Sequence, residues 1–450
     1  MATEQEIIDL MRAAAAPGQL SLADEAVRQL QGLTESLVAA KPGAGEEYRR
    51  FQAIGERALC LPGERIDQWL RGAVVLVTGG TGCIGSTLMT QLAGRRPGRL
   101  VSVSRGVTAA RPRLPGAEYL HADIRDRPHL DALIRDIRPD VVFHLAAQRN
   151  PGLAEQEVHR TVTTNVLGTR NVLAAADDAG VSQVVCASTG KALRPYSPDV
   201  YAASKRAAEW LGACSSASDV RRSAVRFTHV VNNSIIHQRL RHWARGGVIR
   251  LHSTEIAFYV QSALESAQLL LIAGLGAVRG QFLIHAITDL GWPVSLLDLA
   301  VGVLAEAGSP APIYISGYDR GYEEVPFPGL YDPATAGEVS PLLNAFEAAR
   351  VTDRPCPMVD AFPLEMKPDP EPGKLLAALE DACATTEDPH VVRAALDELS
   401  WSLLDVTLRA APPRALARSA ALADPHRSAL SREHQRLLAA IRRDAGLSDP

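Results

Sequence analysis

The sequence predicts an α/β protein built on a doubly wound parallel sheet, and three observations predict it. From residue 74 onward, apolar runs of strand length alternate with helical segments. The runs are continuously apolar, as in strands covered on both faces by helices. The first of them ends in a glycine-rich turn that opens a helix. In chain order the strand candidates are VVLVTGG (74–80), LVSVSR (100–105), EYLHADI (118–124), DVVFHLAA (140–147) and SQVVCAST (182–189). Further strands are expected at 222–231 and 280–287, with a helix near 262–273.

The flanks differ in texture. Residues 1–70 carry apolar residues at helical spacing (Ile7, Ile8, Leu10 and Met11, then Ala26, Val27, Leu30 and Leu33), interrupted by KPGAG and LPGER. The stretch 352–374 is rich in proline and acid and reads as a linker, with helical segments after it around 374–410 and 430–445. The expected organisation is a helical N-terminal extension over 1–70, a main domain over 71–350, a linker over 351–373 and a helical C-terminal extension over 374–450. Within the main domain, 71–220 is expected to hold a cofactor and 221–350 to form a smaller substrate lobe.

Composition narrows the class. The chain has 450 residues, 46% hydrophobic and 22% charged, with a net charge of −4, so no polyanion-binding surface is implied. The N-terminus is acidic and lacks a basic signal region, and the most apolar stretch, AQLLLIAGLGAV, is too short to cross a bilayer. Six cysteines are scattered without a CxxC pair, which argues for free thiols in a reducing compartment and against a metal. The reading is a cytoplasmic protein with no nucleic-acid, membrane or metal partner.

The turn VVLVTGGTGCIG places Gly79, Gly82 and Gly85 three residues apart, between a strand and a helix. Glycines permit a tight turn and close backbone approach, and a helix N-terminus presents N–H groups to a pyrophosphate. This predicts dinucleotide binding on a Rossmann-type sheet, with Thr81, Cys83 and Ile84 in the same turn. The second strand ends in Ser104 and Arg105, where an NAD binder would offer an acid to the ribose. Arg and Ser suit a 2′-phosphate, so NADP is favoured over NAD.

Tyr201 and Lys205 stand four residues apart, on one face of a predicted helix. A nearby ammonium favours phenolate, so the pair is expected to exchange a proton with a substrate hydroxyl while hydride passes to or from nicotinamide. Thr189, at the end of the fifth strand, would hydrogen-bond the same oxygen.

In these motifs the chain resembles the extended short-chain dehydrogenase/reductases: TGGTGCIG (78–85), Asp123 with Ile124, HLAA (144–147), NVLGT (165–169) and Tyr201 with Lys205. The resemblance implies that Asp123 and Ile124 flank the adenine, that Ala146 and Ala147 line the cofactor, and that Asn165 positions Lys205 through water. Within that family the chain looks like the polysaccharide-biosynthesis branch, typified by inverting UDP-N-acetylglucosamine 4,6-dehydratases. STGKALRP, SKRAAE and AAQRNPGLAEQEV carry this likeness, the last with Arg149 in place of Lys. Such enzymes oxidise a sugar hydroxyl to a transient ketone and later return the hydride.

The chain departs from the branch where the substrate is handled. Gly190 stands at the position of a catalytic Asp, and the spacing to Tyr201 is longer than in the branch. Lys191 remains as a base, Glu155 is an acid that would substitute for the missing one, and His229 stands where relatives have Asn. NNSIIHQRL lacks a glycine-rich loop, TEIAFYV lacks an expected arginine, and DRGYEE only echoes the family's pattern. The leading expectation is an NADP-dependent nucleotide-sugar epimerase/dehydratase, with dehydration disfavoured by Gly190, acting as a homodimer on a small-molecule substrate. The alternatives are an NADP(H)-dependent ketoreductase on a non-nucleotide substrate in specialised metabolism, and a cofactor-binding scaffold without catalysis.

Overall fold

The computed structural model describes residues 2–106, 113–214, 219–318, 327–331, 338–351, 356–366 and 369–448. DRGYEE lies outside the described residues, as does part of the proline-rich stretch. The chain divides into two compact units.

The larger unit comprises residues 59–227, 266–289 and 324–450. Its frame is an eight-stranded sheet: β1 (Val74–Thr78), β2 (Arg99–Ser104), β3 (Ala117–His121), β4 (Val141–His144), β5 (Gln183–Thr189), β6 (Arg221–Phe227), β7 (Phe282–Ile287) and β8 (Val359–Pro363). The spatial order is β8-β7-β6-β5-β4-β1-β2-β3, parallel throughout except for β8, which runs antiparallel to β7. The chain reverses direction across the sheet between β1 and β4, and such a switch point opens a crevice at the carboxyl ends of the strands. Val75, Leu76, Val77, Val142 and Phe143 are fully or almost fully buried, as strands covered on both faces require. The edge strand β3 is only partly covered, and its sequence AEYLH is correspondingly more polar.

Helices fill the crossovers: α1 (Cys83–Gly94), α2 (Arg127–Ile137), α3 (Gly168–Asp178), α4 (Val200–Cys214) and α5 (Ala263–Leu275). Local chemistry sets their ends. At α2 the Asp126 carboxylate accepts from the His129 N–H, Pro128 stands in the first turn, and Arg138 closes the helix at φ 51°.

Four helices follow the sheet: α6 (Glu371–Thr385), α7 (Pro389–Ala410), α8 (Pro413–Ala423) and α9 (Arg432–Asp444). The last three form a core with the loop before α4, in which Tyr196, Phe327, Leu330 and Phe346 pack among Leu404, Leu408, Leu416, Leu437 and Ile441. The 351–373 stretch is not only a linker, because five of its residues form β8 and hydrogen-bond β7. The helical C-terminal segment 374–450 shares a core with the rest of the unit.

The smaller unit comprises residues 1–58, 228–265 and 290–323. Helices Glu4–Ala14, Asp24–Ala40 and Ala44–Ala53 bury Ile7, Met11, Leu30, Leu37, Tyr48 and Phe51 against Leu240, Ile249, Leu251, Leu297, Leu299 and Ile313. Gly302 shows how tight this packing is, since a Cβ there would lie 2.5 Å from Ala44 O. The expected N-terminal extension is therefore split. Residues 1–58 complete the lobe that 221–350 was to form, while Trp69 packs edge-on against Phe143 of β4, with ring centroids 6.2 Å apart.

Candidate functional site

The carboxyl ends of β1, β4 and β5 bring together most of the residues singled out by sequence. After Thr78 the chain turns at Gly79, whose φ is +77°. A Cβ at Gly79 would lie 2.8 Å from Ala146 N, and one at Gly85 would lie 2.2 Å from Gly79 O. The two glycines let the turn press against the end of β4 and let α1 start directly behind it. Gly80 was missed by the spacing argument, yet a Cβ there would lie 2.4 Å from Ser102 Oγ on β2. Gly82 at the start of α1 is exposed, with Thr81, Cys83 and Ile84 half-buried around it. A helix N-terminus opening directly from a glycine-rich turn fits a pyrophosphate.

Ser104 and Arg105 end β2, where Arg105 is exposed and Ser104 Oγ donates to Gly106 O at 3.2 Å. Asp123 faces the same rim. Burial works to raise its carboxyl, but hydrogen bonds from Arg125 and the charges of Arg125 and Arg105 hold it below the ordinary value. Ile124 is buried and packs on Gly168 of α3.

Beyond β4 a directional hydrogen-bond chain crosses the unit. Ala146 N–H donates to Thr78 Oγ1 at 3.3 Å, and Thr78 Oγ1 lies 2.8 Å from His144 Nδ1. Thr169 Oγ1 donates its only proton to Asn165 O at 2.7 Å, so His144 Nε2, 3.0 Å from Thr169 Oγ1, carries a proton and Nδ1 accepts from Thr78. Burial, with help from the Lys205 charge, pushes this imidazole down to about 3, so it is a neutral structural link. Asn165 is fully buried on a π-helical turn (Thr163–Leu167). Its Oδ1 accepts from Gln148 N at 2.8 Å, and its Nδ2 donates to Gln148 O and to Ser204 Oγ, both at 3.0 Å. It thus ties the loop carrying Ala146 and Ala147 to α4 through Ser204, the neighbour of Lys205.

Thr189 at the end of β5 and Tyr201 in the first turn of α4 interact through their side chains, and this interaction lowers the phenol's pKa. Burial, reinforced by the Asp199 charge, pushes the Tyr201 phenol up to about 12, and the Thr189 interaction and the Arg149 charge offset this only in part. Lys205 shares the helix face, but its Nζ donates to Ala187 O at 2.6 Å, and burial lowers its pKa. By spacing alone, Lys205 was expected to acidify the phenol. In this structure burial and the Asp199 charge work against the phenolate, and the Arg149 charge works for it.

Gly190 is buried, and a Cβ there would lie 2.7 Å from Leu342 Cδ2. The place of an acid side chain is therefore already filled by leucine. Lys191 Nζ lies 3.5 Å from Asp199 Oδ2, a residue that the motifs do not select. Its only sequence signal is an acid two residues before Tyr201, in a loop longer than expected. Glu155, considered as a substitute acid, is engaged twice: Oε1 accepts from Val200 N at 2.8 Å, and Oε2 pairs with Arg393 of α7 at 2.7 Å. It holds the start of α4.

Beneath this loop lies a buried ionic cluster that sequence reasoning also missed. Arg226 on β6 bonds Glu209 at 2.9 and 2.8 Å and Glu347 at 2.6 and 2.8 Å. Arg206 reaches both carboxylates at 3.3 Å and Thr407 of α7 at 3.1 Å, and Ser188 Oγ donates to Glu209 at 2.6 Å. Arg206 and Glu209 belong to the SKRAAE run, so part of that motif is structural. His229 sits in the smaller unit, where its Nε2 lies 2.6 Å from Ser234 Oγ. Burial and the His237 charge push it down to about 4. Among the described residues, no group of three His, Cys, Asp or Glu side chains is placed to hold a metal, and no helix is long and apolar enough to cross a membrane.

The chain is 29% identical over 304 residues to the probable polysaccharide biosynthesis protein EpsC of Bacillus subtilis, covering 64% of this chain and 48% of that one. It is 33% identical over 143 residues to an inverting UDP-N-acetylglucosamine 4,6-dehydratase of Campylobacter jejuni, covering 30% of this chain and 42% of that enzyme. The chain thus spans about half the length, or less, of these curated relatives. An uncharacterized membrane protein of Methanocaldococcus jannaschii is 30% identical over 49% of this chain and 68% of its own length. Among solved structures, Pen from Bacillus thuringiensis matches with a TM-score of 0.56 and 23% identity, over 66% of this chain and 87% of that one, a likeness of fold. The family model described as polysaccharide biosynthesis protein matches residues 75–322, more than half of the chain. The chain belongs to the polysaccharide biosynthesis protein family.

Proposed function

We propose that this chain is an NADP-dependent enzyme of the epimerase/dehydratase type that modifies nucleotide sugars through transient oxidation of a sugar hydroxyl to a ketone. The observation that carries this reading is the approach of the Thr189 and Tyr201 side chains at the end of β5, in the same unit as the glycine turn at the end of β1. The relatives named as a UDP-N-acetylglucosamine 4,6-dehydratase, a dTDP-L-rhamnose 4-epimerase and a UDP-glucose 4-epimerase support the substrate class. A bound nicotinamide supplies the hydride acceptor and donor.

The protein's own residues do the rest. The turn from Gly79 to Gly85 receives the pyrophosphate, Ala146 and Ala147 line the cofactor, and Asp123 and Ile124 flank the adenine. Ser104 and Arg105 take the 2′-phosphate, which is the basis for NADP over NAD. Thr189 orients the sugar hydroxyl and Tyr201 receives its proton, with Lys205 behind it as the supporting cation. The phenol so formed, beside Thr189, then donates a hydrogen bond to the ketone oxygen. A homodimer residing in the cytoplasm belongs to the same reading, checked by light scattering and cell fractionation.

The test uses purified protein with NADP⁺ and UDP-N-acetylglucosamine, UDP-glucose, dTDP-glucose or GDP-mannose. Binding of at least one sugar nucleotide by calorimetry is expected, with reduced cofactor appearing transiently in absorbance. Tyr201→Phe should lower that appearance by about 10²–10⁴-fold. If none of these compounds binds, the nucleotide-sugar reading is wrong. The loss of an acid side chain at Gly190 favours one further reading, a ketoreductase on a non-nucleotide substrate, which would instead consume NADPH stoichiometrically.

A further inference from the structure

Oxidising a hydroxyl moves one proton, and the Thr189–Tyr201 pair accounts for it. A rearrangement at the carbon next to the ketone, whether elimination or inversion there, requires a second proton transfer, because it breaks the C–H bond that the carbonyl has acidified. Lys191, the base the sequence offers for this work, pairs with Asp199, and neither position considered for the acid is open. Position 190 is filled by Leu342 Cδ2, and Glu155 is bonded to Val200 N and Arg393. Asp199 differs from both. It stands two residues before Tyr201, its side chain is 9% exposed, and its Oδ2 lies 3.5 Å from Lys191 Nζ. Its Oδ1 accepts from Ala202 N at 2.9 Å and its N–H donates to Ser197 Oγ at 3.2 Å, so the carboxyl is fixed at the head of the helix that carries Tyr201.

Resting on the oxidation chemistry of the preceding section, we propose that Asp199, held against Lys191, is the second proton-transfer residue of this site and takes and returns the proton on the carbon next to the transient ketone. In the forward step the C–H bond breaks and its proton passes to the Asp199 carboxylate. The electron pair forms a C–C double bond, and the carbonyl π pair moves to oxygen, where the Tyr201 and Thr189 hydroxyls hold the enolate. The reverse step returns a proton to carbon and regenerates the carboxylate, so the sequence needs no co-reactant. Lys191 keeps the carboxylate compensated before the proton arrives. The charged and titratable groups around Asp199 are Lys191, Arg194, Glu155 and Tyr201. Burial, with the Glu155 charge, raises the Asp199 carboxyl above the ordinary aspartate value, although Lys191, the Ala202 N–H and Arg194 oppose this. A stronger carboxylate base results.

The test is Asp199→Asn, which keeps an oxygen for the Ala202 N–H and removes the titrating group. Its melting temperature and NADP⁺ affinity establish that it folds. In D₂O, with NADP⁺ and UDP-N-acetylglucosamine or UDP-glucose, mass spectrometry reads deuterium entering carbon while absorbance reads cofactor reduction. The ratio of exchange to cofactor reduction is expected to fall about 100-fold in Asp199→Asn and to recover in part in Asp199→Glu. In the cofactor-free protein, an infrared difference between wild type and Asp199→Asn should show one carboxyl titrating above the ordinary 3.8. If no sugar nucleotide reduces the cofactor, the oxidation reading falls and this role falls with it. If the cofactor is reduced but deuterium does not enter, or enters equally in Asp199→Asn, the role of Asp199 alone is overturned. A carboxyl titrating at the ordinary value also overturns it.

Discussion

Gly190 is the residue whose meaning changes most between sequence and structure. In a motif it is an acid lost; in the fold it is the space into which Leu342 packs. This has a measurable consequence. Gly190→Ala adds a methyl 2.7 Å from Leu342 Cδ2 and should destabilise the protein by ~1–3 kcal/mol. Leu342→Ala empties the same space and should cost ~2–5 kcal/mol. Together they should cost less than their sum by more than about 0.5 kcal/mol, because each relieves the other. Urea denaturation of the four proteins checks this, and strict additivity would show that the two side chains do not share the space. Asp199 makes the complementary point. No motif selects it, because its value lies in a 3.5 Å approach to Lys191 that spacing alone does not reveal.

At the scale of elements, the loop from Gly190 to Val200 is set by partners distant in sequence. Asn344 Nδ2 donates to Leu193 O at 2.6 Å, Tyr196 donates to Asp397 at 2.6 Å, and Tyr196 stacks on Trp401 with ring centroids 3.8 Å apart. The cluster of Arg206, Arg226, Glu209 and Glu347 joins α4 and β6 to the short helix Ala345–Ala348, and Arg206 adds Thr407 of α7. Two cations and two carboxylates balance there, all four side chains buried. Arg226→Met leaves two carboxylates facing one guanidinium and should cost ~3–5 kcal/mol in urea unfolding. Arg226→Lys should rescue little, because an ammonium cannot make the bidentate contacts of the guanidinium. A loss below about 1 kcal/mol in Arg226→Met would mean that the cluster is not the brace described.

For the whole molecule, the family match ends at residue 322, yet the larger unit depends on residues beyond that point. A chain ending at residue 370 loses Leu404, Leu408, Leu416, Leu437 and Ile441 from the core around Tyr196 and Phe346. It should be recovered insoluble, or without the cooperative thermal transition of the full chain, by circular dichroism. A truncated protein melting as the full one does would show that residues 374–450 are not needed for the stability of this unit. The parallel sheet, the glycine turn and the Tyr201–Lys205 pair were legible beforehand because each depends on neighbours close in sequence: apolar runs, backbone conformation and helical spacing. The strand β8, the splitting of the first 70 residues between two units, the closure of position 190 and the pairing of Lys191 with Asp199 were not. The sequence by itself determined the sheet and the cofactor-type turn, because local chemistry suffices for them. Only the tertiary structure decided which carboxylate stands beside Lys191, because that depends on which distant segments fill the space around the loop.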